Sequence, residues 1–196
     1  MPDPRQTVYE PVLVLRCQLG DGAAFAEIVA RYHRRVHYYL KKMLGSADRA
    51  DDALQELWID VFRSIPTLRD ARAFSSWLYR LARDRAYREI RRSRHAGPQP
   101  ASAESIDDVP ADSDDDAFSP EDAARVHDAL DRLGTEHREV LLLRFVESMT
   151  YPQIAAIVGC ELGTVRSRLH YAKRALRRLL ERNQDEQQPR IRIATE

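Results

Sequence analysis

The sequence predicts an all-α protein: two small helical domains joined by a flexible acidic linker, the C-terminal one containing a helix-turn-helix. Three observations predict it. Apolar residues recur at helical spacing on both sides of one polar stretch, and no segment alternates with the period of a strand. Residues 101–122 hold nine acids and no base among Pro, Ser and Ala. Such a composition cannot bury enough apolar surface to fold, and it repels itself into an extended tether. Finally, residues 150–180 read as a short helix, a tight turn and a longer basic helix. In that layout the start of the second helix enters the major groove of DNA.

In the first domain, residues 12–19 suit a short lead-in helix ended by Gly20, and Asp21 can cap the next. That helix carries Phe25, Ile28, Val29, Tyr32, Val36, Tyr39, Leu40 and Met43 on one side before Gly45 ends it. A third helix over 47–65 is stopped by Pro66 and buries Ala50, Ala53, Leu54, Leu57, Trp58, Val61 and Ile65. Its other side shows Asp52, Gln55, Glu56, Ile59 and Arg63. An isoleucine among acids and an amide fits a protein-binding face, or one ordinary exposed apolar residue.

After the loop 66–73, a helix over 74–94 packs through Phe74, Trp77, Leu78 and Leu81. Its opposite face interleaves Tyr79, Arg80, Arg83 and Tyr87 and continues into Arg88, Arg91, Arg92 and Arg94. Between residues 63 and 94 there are ten arginines against three acids. Arginines with aromatics suit single-stranded nucleic acid, because guanidinium groups hold the backbone and rings stack on unpaired bases. The plainer alternative is a solvated basic helix whose tyrosines cover the core.

The second domain opens at Ser119, followed by Pro120, Glu121 and Asp122, a strong helix start. Val126, Leu130 and Leu133 line its first helix, which Gly134 ends. Thr135 opens the next, where Val140, Leu141, Leu142, Leu143, Phe145 and Val146 are so apolar that this helix should be central. Thr150 and Gln153 form a capping box, with Pro152 tolerated in the first turn. Ile154, Ala155, Ile157 and Val158 give the short helix its apolar side, and Gly159 is its left-handed stop.

Thr164 then caps the long helix. On it Val165, Leu169, Ala172, Leu176 and Leu179 recur at spacings of 4, 3, 4 and 3, one apolar stripe. Arg166, Ser167, His170, Tyr171 and Arg174 occupy the opposite face, with Arg168, Lys173, Arg177 and Arg178 on the flanks. Residues 162–182 hold seven basic residues and one acid in a chain of zero formal net charge, so the basicity is concentrated where DNA would lie. The expected units are therefore a lead-in over 1–20, a first domain over 21–95, the linker over 96–118, a second domain over 119–182 and a polar tail over 183–196. The linker reads as a passive tether, or as an acidic shield for the basic helices.

Several function classes are excluded on the residues. No run of about 18 apolar residues could span a bilayer, and residues 1–6 do not read as a signal peptide, so a cytoplasmic location without membrane insertion is expected. Cys17 and Cys160 lack metal-ligand spacing and read as ordinary thiols, and the six histidines are scattered. There is no phosphate cradle, no nucleophile with a base and no metal cluster, so neither an enzyme nor a cofactor is expected. Arginine outnumbers lysine 28 to 3, which suits rigid contacts to phosphates and base edges, or reflects genomic composition.

Four stretches together carry a family resemblance. They are Asp-Ala-Leu-Gln-Glu-Leu-Trp-Ile-Asp-Val-Phe at 52–62, Phe-Ser-Ser-Trp-Leu-Tyr-Arg-Leu-Ala-Arg at 74–83, Tyr-Pro-Gln-Ile-Ala at 151–155 and Gly-Thr-Val-Arg-Ser-Arg-Leu at 163–169. In this order, across roughly residues 20–181, the chain closely resembles the extracytoplasmic-function group of bacterial sigma factors, two-domain members of the sigma-70 class. The resemblance implies that Asp52, Gln55, Glu56 and Ile59 dock on the clamp coiled coil of core RNA polymerase, and that the second domain meets the upstream flap. It implies that the loop with Leu68, Arg69 and Arg72, and the helix with Tyr79, Arg80, Arg83, Asp84, Tyr87, Arg88 and Arg91, take the minus-10 strand as the duplex opens. Arg166, Ser167, His170 and Tyr171 would lie nearest the minus-35 bases, while Thr164, Arg168, Lys173 and Arg174 hold phosphates.

An anti-sigma protein is a further implied partner. At Asp84 the family often has Asn; a carboxylate cannot donate hydrogen bonds and repels phosphate, so the resemblance leaves the minus-10 preference open at this position. The main rival is a stand-alone helix-turn-helix regulator that binds duplex DNA alone, commonly as a dimer. The arginine and tyrosine helix argues against it.

Overall fold

A computed structural model describes residues 4–95 and 123–187. The predicted linker, the Ser119 start and the end of the tail lie outside the described residues. Among the described residues the chain is helical, without strands. The elements are α1 (Pro4–Gln18), α2 (Gly22–Leu44), α3 (Ala47–Ser64), α4 (Phe74–His95), α5 (Ala123–Arg132), α6 (Thr135–Leu141), α7 (Tyr151–Val158) and α8 (Leu162–Gln187).

Local chemistry sets most boundaries. Asp21 Oδ1 accepts from the Ala23 and Ala24 amides at 2.9 and 3.1 Å, capping α2. The Ser46 hydroxyl caps α3 by accepting from the Arg49 amide. Gly45 and Gly159 end α2 and α7 at φ +65° and +74°, a region that only glycine enters without strain. A Cβ at Gly159 would meet nothing within 4 Å, so Gly159→Ala should cost only that backbone strain, about 1–2 kcal/mol in chemical unfolding.

Three elements differ from expectation. Helix α1 begins well before residue 12 and passes through Pro11. The ring leaves one backbone bond unmade, and burial of Leu13, Val14 and Cys17 offsets it. Helix α8 starts at Leu162, not Thr164: the Val165 amide bonds the Glu161 carbonyl at 3.1 Å, so Thr164 lies inside the first turn and caps nothing. At its other end α8 continues to Gln187, past the expected boundary at 182. The third difference follows α6, where the chain widens into a π-helical turn over Leu142–Val146. Val140 to Leu143 are buried as predicted, but the wider turn rotates Phe145 and Val146 outward, to 48% and 42% exposure.

The first domain packs α1, α3 and α4 around α2, with α3 also against α4. Phe74 sits edge-on to Tyr32 at 5.5 Å, and Phe25 edge-on to Trp58 and Phe62 at 6.4 and 5.2 Å. Arg85 on α4 pairs with Glu56 and Asp60 on α3, fixing the angle between the two helices. Gln18 Nε2 donates to the carbonyls of Ile65 and Leu68 at 3.1 and 2.7 Å. It thereby ties α1 to the loop that precedes α4.

The second domain centres on α6, the turn after it and α8, where Val140, Leu143, Val165, Leu169, Ala172 and Leu176 are buried. Arg138 donates to the carbonyls of Leu130, Asp131 and Leu133 at 2.7–2.8 Å, gathering the end of α5. The two domains also pack on each other, α7 against α4 and α6 against α2.

Candidate nucleic-acid interface

The helix-turn-helix is built as its residues dictate. At the start of α7 the Thr150 amide donates to Gln153 Oε1 at 2.9 Å, while Ile154, Ile157 and Val158 are buried. From the turn at Gly159, α8 presents Arg166, Ser167 and Arg174 to solvent on the side opposite its buried stripe. The remaining predicted residues are less open. His170 and Tyr171 are half-buried with their rings edge-to-face at 5.5 Å, and His170 Nε2 is buried without a hydrogen-bond partner. Arg168 pairs with Glu136 at 3.0 Å, Lys173 Nζ lies 5.4 Å from the Phe145 ring centre, and the Thr164 carbonyl accepts from the Ser167 hydroxyl at 3.1 Å.

On α3, Asp52, Gln55, Glu56 and Ile59 share one exposed face, with Ile59 at 43%. Glu56 is also a partner of Arg85. Sequence reasoning missed Phe62, one turn on and 62% exposed. The interval from Ile59 to Phe62 is the signal that could have found it. With Trp58 and Phe25, these side chains line an open apolar groove between α2 and α3.

The predicted strand-contact face of α4 is two faces. Arg80, Asp84, Arg88 and Arg91 point to solvent, together with Arg69 and Arg72 of the preceding loop, and Leu68 is half-buried. Tyr79, Arg83 and Tyr87 form the neighbouring stripe, and the second domain covers it. Tyr79 is fully buried, its ring edge-on to Tyr39 at 5.4 Å, so in this conformation it cannot meet a strand. Arg83 stacks over the Tyr87 ring at 4.4 Å.

Two acids that sequence reasoning passed over hold this stripe. Glu139 of α6 is 0% exposed. It accepts from the hydroxyls of Tyr39 at 3.1 Å and Tyr87 at 2.9 Å, and lies 2.9 Å from Arg83 Nε in an ion pair whose N–H points aside. Burial pushes its carboxyl above the ordinary range, while Arg83 and the two hydroxyls oppose that rise. Glu147, also buried, pairs with Arg35 at 2.8 Å and faces Tyr79; burial raises its carboxyl too, against the Tyr79 hydroxyl and Arg35. The phenols of Tyr39, Tyr79 and Tyr87 are held neutral, first by burial and then by these carboxylates.

No helix among the described residues is long and apolar enough to cross a membrane. Comparison with known proteins agrees with the two-part architecture. The family described as Sigma-70 region 2 matches residues 28–96, and Sigma-70 region 4 matches residues 123–176. The RNA polymerase sigma-H factor of Pseudomonas aeruginosa is 33% identical over 178 residues, covering 86% of this chain and 92% of that protein. The extracytoplasmic-function sigma-E factor of Escherichia coli is 31% identical over 180 residues, covering 85% and 92%. In fold, the chain is similar to CnrH, solved in complex with the cytosolic domain of CnrY, at a TM-score of 0.67 and 22% identity over 89% of this chain and 98% of that one. Both regions match in order across more than half of the chain, and relatives above 30% identity span most of its length: the chain belongs to the extracytoplasmic-function group of the sigma-70 family of RNA polymerase sigma factors.

Proposed function

We propose that this sigma factor carries core RNA polymerase to specific promoters through three surfaces: α3 for the clamp coiled coil, the α4 helix and its preceding loop for the opened minus-10 strand, and α8 for the minus-35 duplex. The observation that carries this reading is α8, whose exposed Arg166, Ser167 and Arg174 back onto a fully packed stripe directly after a tight turn. The work is recruitment and strand separation, with no catalytic residue in this chain, and it takes place in the cytoplasm where polymerase and DNA are. Each domain alone holds DNA weakly; joined on core polymerase they gain effective concentration. The upstream flap is the expected second contact on polymerase, and an anti-sigma protein the expected antagonist.

Run-off transcription from a mapped promoter tests it. Arg166→Ala should reduce initiation by the worth of one base contact, about 1–3 kcal/mol, or roughly 5- to 150-fold, and relax preference at one minus-35 position. Arg174→Ala should instead weaken binding to all sequences alike and lower the salt slope by about one. If neither variant alters initiation, α8 is not the reading helix.

A further inference from the structure

The loop that carries Leu68, Arg69 and Arg72 is held from a distance by one side chain. Its two turns close locally. The Leu68 amide donates to the Ile65 carbonyl at 3.2 Å, and Asp70 Oδ1 accepts from the Arg72 amide at 2.9 Å to start the turn Ala71–Ala73. The joint between them, at Leu68 and Arg69, belongs to neither turn. Half-buried Gln18, the last residue of α1, reaches it: Nε2 donates to the carbonyls of Ile65 at 3.1 Å and Leu68 at 2.7 Å. Both partners are acceptors, so the amide faces them with its nitrogen, and a carboxamide supplies both N–H donors from one neutral atom. Among the described residues, the other hydrogen bonds of 66–73 close within four residues of chain. Helix α1 is itself braced where the loop ends. Leu13, Val14 and Cys17 are buried, and the Tyr32 hydroxyl donates to Glu10 while the Tyr32 ring sits edge-on to Phe74 at the start of α4.

We propose that Gln18 is a positioning residue for promoter opening: it holds the Leu68–Arg69 joint in the shape that takes the unpaired minus-10 strand, and so sets base discrimination there. This rests on the reading of the loop as a strand contact. A loop fixed before the strand arrives has little ordering entropy left to lose on binding. Without the two bonds the Leu68 carbonyl turns to water and the joint samples other backbone angles. The strand-competent shape is then one among several, and strand affinity falls with its population.

The test uses holoenzyme assembled from core polymerase and the full chain carrying Gln18→Met, which keeps the length and apolar stem of the side chain but donates nothing, or Gln18→Ala. Fluorescence anisotropy reads binding to the single non-template strand of a promoter mapped by run-off transcription, and to strands in which each minus-10 base is substituted in turn. Gln18→Met should bind the matched strand about tenfold less tightly, the worth of two ordinary hydrogen bonds. Strands substituted at the bases facing the loop should bind as they do to wild type, so discrimination at those bases shrinks by the same factor. Affinity for core polymerase should be unchanged, which a general loss of fold would not allow, and Gln18→Ala should follow the same pattern. An equal loss on matched and substituted strands would overturn the proposal, and so would wild-type affinity and discrimination in Gln18→Met. Arg69→Ala and Arg72→Ala in the same assay separate the two readings. If they cost strand affinity while Gln18→Met does not, the loop touches the strand and Gln18 does not position it. If they change nothing, the loop reading falls and the proposal falls with it.

Discussion

Ile59→Asp should weaken binding to core RNA polymerase by about 2 kcal/mol or more, on the order of thirtyfold, and silence run-off transcription, while the fold is untouched. Ile59 is 43% exposed and Phe62 is 62% exposed on the same side of α3, beside a groove lined by Phe25 and Trp58. A carboxylate there has no internal partner to break, so the change in unfolding free energy should stay within about 0.5 kcal/mol. In a docked interface the same carboxylate would lose its water without gaining a cation, which is what makes an exposed apolar anchor intolerant of charge. Core polymerase titrated against labelled variant reads the loss directly. Unchanged affinity would remove α3 from the interface.

The largest effect on stability should come from Phe74→Ala, about 3–5 kcal/mol in urea unfolding, a substantial part of what holds a small domain together. The ring is fully buried, 5.5 Å from Tyr32 and 5.8 Å from Trp77, so its removal leaves a void between α2 and α4. Phe74 is also the residue at which the turn Ala71–Ala73 ends and α4 begins. The variant should therefore loosen the loop bearing Arg69 and Arg72, and strand opening should fail at temperatures where the second domain is still folded. A loss below about 1 kcal/mol would mean that the packing around Phe74 tolerates the void.

Helix ends were legible because their chemistry is local. Asp21, Gly45, Thr150 with Gln153, and Gly159 each act within four residues. The face of α3 was equally plain, since one isoleucine among polar residues is a short-range signal. Thr164 misled for the same reason: a Thr just after a glycine reads as a helix cap, whereas α8 has already begun at Leu162.

What stayed hidden depends on distant partners. Helical period places Tyr79, Arg83 and Tyr87 only about 100° from Arg80, Asp84 and Arg88, too close to separate without knowing what covers them. Glu139 and Glu147 look like solvated acids in sequence, yet Glu139 bonds Tyr39 and Tyr87, 100 and 52 residues away. The outward turn of Phe145 and Val146 likewise follows from the wider winding over Leu142–Val146, which no pattern of apolar residues announces.

As a sigma factor, this chain gives core RNA polymerase its promoter choice. Run-off transcription from genomic fragments, with purified core polymerase in the presence and absence of the protein, tests it most directly. Defined start sites should appear only when the protein is added, sharing one upstream and one downstream element, and should be lost with Gln55→Ala or Arg166→Ala. Unaltered core polymerase, together with a protein that shifts duplex DNA by itself, would contradict it and make the chain a stand-alone regulator.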